Sequence, residues 1–189
     1  MLDLRPAAGQ LAALVTDLSD ADLGRPTPCD CTVSALLTHV VGLTAAFTAA
    51  ARKEVDRGGS PPGDMPDALP GGWREDLPQQ LTELAAAWRE PSAWQGTARA
   101  GGIEMPAAEA GVVALDELVL HTWDVAVATG RTHRPDTASV AAVAGFVEAV
   151  PADPAARQGL FGPPLPVPPA ATTFERVLAL AGRDPRWRA

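Results

Sequence analysis

The sequence has few of the features that mark secreted, membrane-spanning or nucleic-acid-binding proteins. Its 189 residues include only two cysteines, Cys29 and Cys31, which lie one residue apart and cannot tie distant loops together. A reducing, cytoplasmic environment therefore fits the chain better than secretion. No apolar run reaches the roughly 18 uninterrupted residues of a membrane span, and residues 1–10 give no sign of a signal peptide.

Basic side chains are also scarce. Fifteen Lys and Arg stand against 23 Asp and Glu, for a net charge of -8. A negative surface repels phosphate backbones, so we expect no nucleic-acid partner and no membrane partner. With 47% hydrophobic and 20% charged residues, the composition predicts a single globular domain over residues 1–189. Its oligomeric state is left open, a homodimer included.

Apolar periodicity predicts a mainly all-α fold. The four main helices are predicted at residues 2–18, 32–56, 75–89 and 106–129. Thr32 is a suitable N-cap for the second helix, and Gly130 ends the fourth. Residues 57–72 are so rich in glycine and proline that they predict a long surface crossover or a mobile flap. Four helices joined by one long crossover indicate a helical bundle.

The other segments are shorter. Residues 93–105 contain the Gly101-Gly102 pair and predict a short hairpin or an irregular turn. Residues 137–189 form a C-terminal extension in which helices are predicted at residues 137–150 and 173–181. Between these helices, FGPPLPVPPAA predicts an extended proline-rich strap.

The fourth helix carries the chemistry. Its sequence, GVVALDELVLHTWDVAVATG, is apolar almost all round, so it should be buried. It nevertheless contains Glu117 and His121, four residues apart and therefore one turn apart on the same face. Buried carboxylates are costly unless they are paired or bound to a cation. A carboxylate and an imidazole stacked in this way can chelate a metal from one rigid helix.

The second helix adds a histidine in similar surroundings, because His39 lies in ALLTHVVG. His39, Glu117 and His121 form a two-histidine, one-carboxylate set for a divalent metal. Three protein ligands leave a position for water or substrate, which is the catalytic rather than the structural pattern. The alternative is a hydrogen-bonded core histidine beside a local Glu–His pair. His133, in a polar turn, is assigned no role.

Two further carboxylates lie on the fourth helix. We expect Asp116 to face solvent. Asp124 either accepts a hydrogen bond from the second ring nitrogen of His121 or meets Arg131, and the sequence leaves both open.

The two cysteines also have two interpretations. Cys29 and Cys31 could bind a soft metal or act as a redox pair, or they could pack under the start of the second helix. We favour the second interpretation and expect neither a metal–sulfur bond nor a disulfide. Cys31 should then abut the pocket.

Three segments resemble one family. RPTPCDCTVSALLTHVVG resembles the start of the second helix in DinB-like metal-binding bundles, specifically the mycothiol-dependent maleylpyruvate isomerase N-terminal group of actinobacteria. ALDELVLHTWDVAVATG is similar to that group's fourth helix, and FGPPLPVPPAATTFERVLALAGRDP to the C-terminal ending of one subgroup. Cys31 stands where the group usually has tryptophan, which alters the expected pocket shape.

The resemblance implies a DinB-type four-helix bundle with a divalent metal, usually zinc, on His39, Glu117 and His121. Ni²⁺, Fe²⁺ and Mn²⁺ are the alternative metals. It also implies mycothiol as a co-substrate, for transfer or isomerisation on a small electrophilic substrate. The alternatives are hydrolysis by metal-activated water, a non-catalytic metal- or ligand-binding bundle, and a helical interaction module without metal.

Overall fold

The computed structural model describes residues 1–54 and 68–189. The elements are α1 Arg5–Thr16, α2 Val33–Ala51, α3 Trp73–Ala87, β1 Thr97–Ala100, β2 Ile103–Pro106, α4 Ala107–Ala128, α5 Thr137–Ala149, α6 Pro154–Arg157 and α7 Thr173–Leu180. The prediction of a mainly all-α fold is confirmed. Most of the predicted crossover, residues 57–67, lies outside the described residues, and α6 was not predicted.

Helices α1 to α4 form the bundle, in the order α1, α3, α2, α4 around its axis. Buried apolar side chains from all four helices form one continuous core. Helix α2 therefore packs beside α4, although α3 and the β1–β2 hairpin separate the two along the chain. This arrangement brings the polar residues of the two most apolar bundle helices together.

The helix ends follow local backbone chemistry. The side chain of Thr32 caps α2 as predicted. Helix α2 ends at Ala51 rather than near residue 56, because Lys53 adopts a left-handed conformation with φ 56°. Pro106 is the N-cap of α4 rather than its first residue, and Gly130, at φ 70°, lies just past its C-cap as predicted.

A two-stranded antiparallel hairpin precedes α4. Ala100 pairs with Ile103, and the two residues between them, Gly101 and Gly102, have φ values of 56° and 79°. Two consecutive positive φ angles are typical of a tight type I′ hairpin turn, which glycine adopts without steric cost. The predicted hairpin is therefore confirmed.

Within the described residues, Val33–Ala51 is the one helix whose length and hydropathy would suit a membrane span. Polar residues such as Thr38, His39 and Thr44 interrupt this helix, so it is not the uninterrupted apolar run whose absence was expected. Half of the helix is buried inside the bundle, as in the core helix of a water-soluble fold.

The C-terminal extension packs against the bundle. Helix α5 packs on α4, and α7 packs on α5. The proline-rich strap has no regular structure, but the Leu165 N–H donates to the Ala179 carbonyl at 2.8 Å, which ties it to α7. The single domain over residues 1–189 stays a prediction.

Candidate metal centre

Side chains of α2 and α4 converge on the carboxylate of Glu117. Its Oε2 atom lies 2.8 Å from Nε2 of His121 and 3.8 Å from Nε2 of His39. The two imidazole rings are nearly perpendicular, with centroids 5.2 Å apart. One ligand atom from each of the three residues lies within 4.8 Å of the others. The structure therefore brings the three predicted ligands into one space.

The three side chains differ in how much of their surface is exposed to solvent. The His121 side chain is only 10% exposed, whereas those of Glu117 and His39 are 22% and 26% exposed. His121 thus forms the inner wall. Glu117 and His39 form the solvent-exposed edge of the group.

The charges around His121 favour a cation. Burial alone would raise the pKa of Glu117, but hydrogen bonds with His121 and His39 outweigh it, and the net pKa is lowered. Burial alone would lower the pKa of His121. Contacts with Asp124, Cys29 and Glu117 outweigh this effect and raise the pKa well above its ordinary value. One ring is thus held between two carboxylates, which concentrate negative potential there.

Asp124 pairs with His121, which was one of the two predicted alternatives. Its Oδ2 atom is 3.0 Å from Nδ1 of His121. Arg131 instead bonds to the carbonyl of Asp17 at 2.6 Å and lies near Asp22. Because an ionised carboxylate can only accept, Nδ1 donates to Asp124 and Nε2 donates to Glu117, so the ring carries both protons. A metal bound at Nε2 would take the place of the second proton. Metal-binding histidines are commonly oriented by such a carboxylate.

Arg183, which was not among the predicted site residues, pairs with Asp124. Its Nε atom is 2.9 and 3.1 Å from the two carboxylate oxygens, and its Nη2 atom is 2.9 Å from Oδ2. Burial would raise the pKa of Asp124, but the charge and hydrogen bonds of Arg183 and the hydrogen bond with His121 lower it to about 2. The only signal was the need of a buried carboxylate for a cationic partner.

Cys29 also contacts Asp124 and Arg183. Its thiol donates to Oδ2 of Asp124 at 3.1 Å and lies 3.5 Å from Nη2 of Arg183. Burial is the main cause that raises the pKa of this thiol. Cys29, His121 and Asp124 present ligand atoms within 4.8 Å of one another, so two possible metal ligands do lie near Cys29. Both thiols are free, and Cys31 packs against the hydrophobic core.

Asp116 does not face solvent, contrary to expectation. It is 3% exposed, and its Oδ1 atom has no hydrogen-bond partner among the described residues. Burial, and then the charge of Glu117, raise its pKa well above the ordinary value. The expectation failed because α4 is enclosed on nearly all sides, so a polar residue on it does not indicate a solvent-facing side.

These features define a helical bundle with a candidate metal centre between its second and fourth helices. The family model for the mycothiol maleylpyruvate isomerase N-terminal domain matches residues 4–126, well over half of the chain, and the chain belongs to this family. The suspected membership is thereby confirmed, and it implies a metal-dependent, mycothiol-related function. Among curated proteins and among solved structures, no significant match is found. The family match ends within α4, so Arg183 lies outside it.

Proposed function

We propose that this protein binds one divalent metal ion through His39, Glu117 and His121. We further propose that it uses the metal with a low-molecular-weight thiol, mycothiol or a close analogue, for transfer or isomerisation on a small electrophilic substrate. The observation that carries the proposal is that Glu117 Oε2 faces the Nε2 atoms of both histidines, at 3.8 and 2.8 Å.

The donor set fits a divalent metal. Two imidazole nitrogens and one carboxylate oxygen suit zinc best, and nickel, iron and manganese also accept such ligands. Three protein donors leave room for a small molecule, in the pattern of catalytic sites. The bound metal would supply Lewis acidity, which makes a coordinated thiol or water more acidic near neutral pH.

The neighbouring residues would each have a part in this function. Asp124 accepts a hydrogen bond from Nδ1 of His121 and so orients Nε2 towards the proposed metal position. Arg183 neutralises Asp124, which leaves Glu117 as the anionic ligand. The exposed edge at His39 would admit thiol and substrate. A cytoplasmic location belongs to the same proposal, since low-molecular-weight thiols work in reducing compartments.

Metal analysis of the purified full-length chain tests the metal site. The wild type should contain about one equivalent of divalent metal, and His121→Ala and Glu117→Gln should remove it. His133→Gln is the matched control, because it changes a histidine outside the cluster and should keep the metal. A wild type without stoichiometric metal after incubation with zinc overturns the proposal.

A thiol-dependence assay tests the chemistry. The metal-loaded protein should consume small electrophiles only when mycothiol is present. The Glu117→Gln variant should not consume them even with mycothiol. Turnover without a thiol would assign hydrolysis instead. Stoichiometric metal without any turnover would assign a non-catalytic binding protein.

A further inference from the structure

His121 presents a second group of donors on its other side. Its Nδ1 atom, a carboxylate oxygen of Asp124 and the sulfur of Cys29 lie within 4.8 Å of one another. A thiolate, an imidazole and a carboxylate together attract soft divalent metals more strongly than the nitrogen and oxygen donors of the first group. The two groups share one imidazole, through opposite ring nitrogens. Since one imidazole cannot serve both groups equally, a further feature of the structure must determine which group binds the metal.

The guanidinium of Arg183 occupies the second group. It bonds to both oxygens of Asp124 at 2.9 and 3.1 Å, and its Nη2 atom lies 3.5 Å from Cys29 Sγ. Arg183 is 8% exposed and Asp124 is fully buried, so water screens this charge poorly. A metal ion entering here would meet a fixed positive charge within a few ångströms.

We propose that Arg183 is a metal-selectivity residue, whose guanidinium fills the Cys29–Asp124 side of His121 and confines the metal to the His39–Glu117 side. The inference rests on the metal site of the proposed function. It identifies the residue that keeps metal out of the competing group that contains the Cys29 thiol. Arg183 comes from the segment after α7, beyond the part of the chain that the family model matches.

The hydrogen bonds at Asp124 explain how this works. Oδ2 accepts from the His121 ring, from the Cys29 thiol and from Arg183 Nη2. With these donors in place, the guanidinium lies against the carboxylate edge that a metal would have to reach. Without the guanidinium, the buried carboxylate loses its neutralising charge and attracts a cation. Cys29 would then bind that cation as its thiol proton passes to the buffer.

Cadmium titration of the full-length chain tests this inference, because cadmium prefers sulfur and a cadmium–thiolate bond has an ultraviolet charge-transfer band. The wild type should bind cadmium without this band. Arg183→Met should show the band in proportion to bound cadmium, and adding Cys29→Ser should remove it. Arg183→Lys keeps the positive charge and should lack the band. Arg131→Met, which removes an arginine elsewhere, should also lack it.

A wild-type band that Cys29→Ser abolishes would overturn the inference. So would a folded Arg183→Met protein that binds cadmium without the band, and circular dichroism establishes the folding of each variant. Arg183→Gln replaces the methionine variant if that variant does not fold.

A second measurement needs no change at Arg183. In Cys31→Ser protein, saturating cadmium should leave the rate of Cys29 alkylation unchanged, and protection of Cys29 would overturn the inference. Other outcomes would refute the proposed function rather than this inference. A chain that binds neither zinc nor cadmium, or whose binding survives His39→Ala and Glu117→Gln, refutes the metal site itself.

Discussion

Nδ1 of His121 lies 3.0 Å from Oδ2 of Asp124, almost one turn further along α4. Because the ring is held at Nδ1, its Nε2 atom points at Glu117, 2.8 Å away. The same ring meets His39 edge to face. The orientation of the innermost proposed ligand therefore depends on a carboxylate that would not itself touch the metal.

Asp124→Asn should weaken metal binding about 10- to 100-fold, the usual effect of losing a partner of a metal-binding histidine. The amide offers the Nδ1 proton no charged acceptor, so the ring is held less firmly. Competition with a chromophoric chelator measures the affinity. Asp22→Asn is the control, because Asp22 is also buried but bonds to Ser19 far from the cluster. Equal affinities for Asp124→Asn and the wild type would contradict the prediction.

Arg183→Met should destabilise the fold by about 3–5 kcal/mol, the typical cost of leaving one charge of a buried pair without its partner. The charge left behind is that of Asp124, which is fully buried. Urea denaturation measures the free energy of unfolding. Combining the change with Asp124→Asn should recover part of the loss, because no unpaired charge then remains.

The control for this cycle is a surface pair. Arg52 lies 3.4 Å from Glu83, and both side chains are largely exposed. Arg52→Met should therefore cost only about 0–1 kcal/mol. If the effects of Arg183→Met and Asp124→Asn simply add, the two residues do not stabilise each other.

The convergence of His39, Glu117 and His121 could be predicted because it depends on local rules. Helix geometry places residues four apart on one face, and the cost of burying polar groups makes each one in an apolar helix conspicuous. The cap at Thr32 and the stop at Gly130 were predictable for the same reason, whereas the end of α2 at Ala51 was not. The neighbouring position of α2 and α4 followed only from the bundle as a whole.

Arg183 could not be predicted, because it is 59 residues from Asp124 and no periodicity links the two. Asp116 was misjudged for a related reason. The sequence of α4 does not reveal how many of its sides are covered, since α1, α2 and α5 all pack against it. Burial of one helix by partners distant in the chain is a property of the tertiary fold.

Gly111→Ala should destabilise the protein by about 1–3 kcal/mol, the usual cost of overpacking a core. A Cβ atom at Gly111 would lie 2.5 Å from the ring of Trp94 and 2.9 Å from that of Trp88. These rings already contact each other edge to face, and the Trp94 indole bonds to the Trp88 carbonyl at 2.7 Å. Neither ring can move without breaking these contacts. Thermal or urea unfolding measures the effect.

Gly145→Ala is the matched control, since it makes the same change in α5 where a Cβ would meet nothing within 4 Å. It should stabilise the protein by up to about 1 kcal/mol through better helix propensity. If the two substitutions change the stability equally, close packing against the tryptophan rings is not the reason for glycine at position 111.

His133 should make stability depend on pH. Its ring packs edge to face on Phe174, with centroids 6.1 Å apart, and its buried Nε2 atom has no hydrogen-bond partner in the described part of the chain. Burial lowers the pKa of His133 to about 4 from 6.5. The folded protein therefore takes up this proton less readily than the unfolded chain does. The stability that the neutral ring contributes is fully present above the unfolded pKa and is lost as the pH falls towards 4.

The comparison of wild type with His133→Gln isolates this effect, because the acidic groups that titrate in the same range are common to both proteins. At about 1.4 kcal/mol per pKa unit, the wild type should lose up to about 3 kcal/mol more than the variant over the whole transition. Urea denaturation at about pH 7.5 and about pH 4.5 measures the difference between the two free energies of unfolding. If that difference is the same at both pH values, His133 takes up its proton equally well in the folded and unfolded chains, and its burial has no electrostatic consequence.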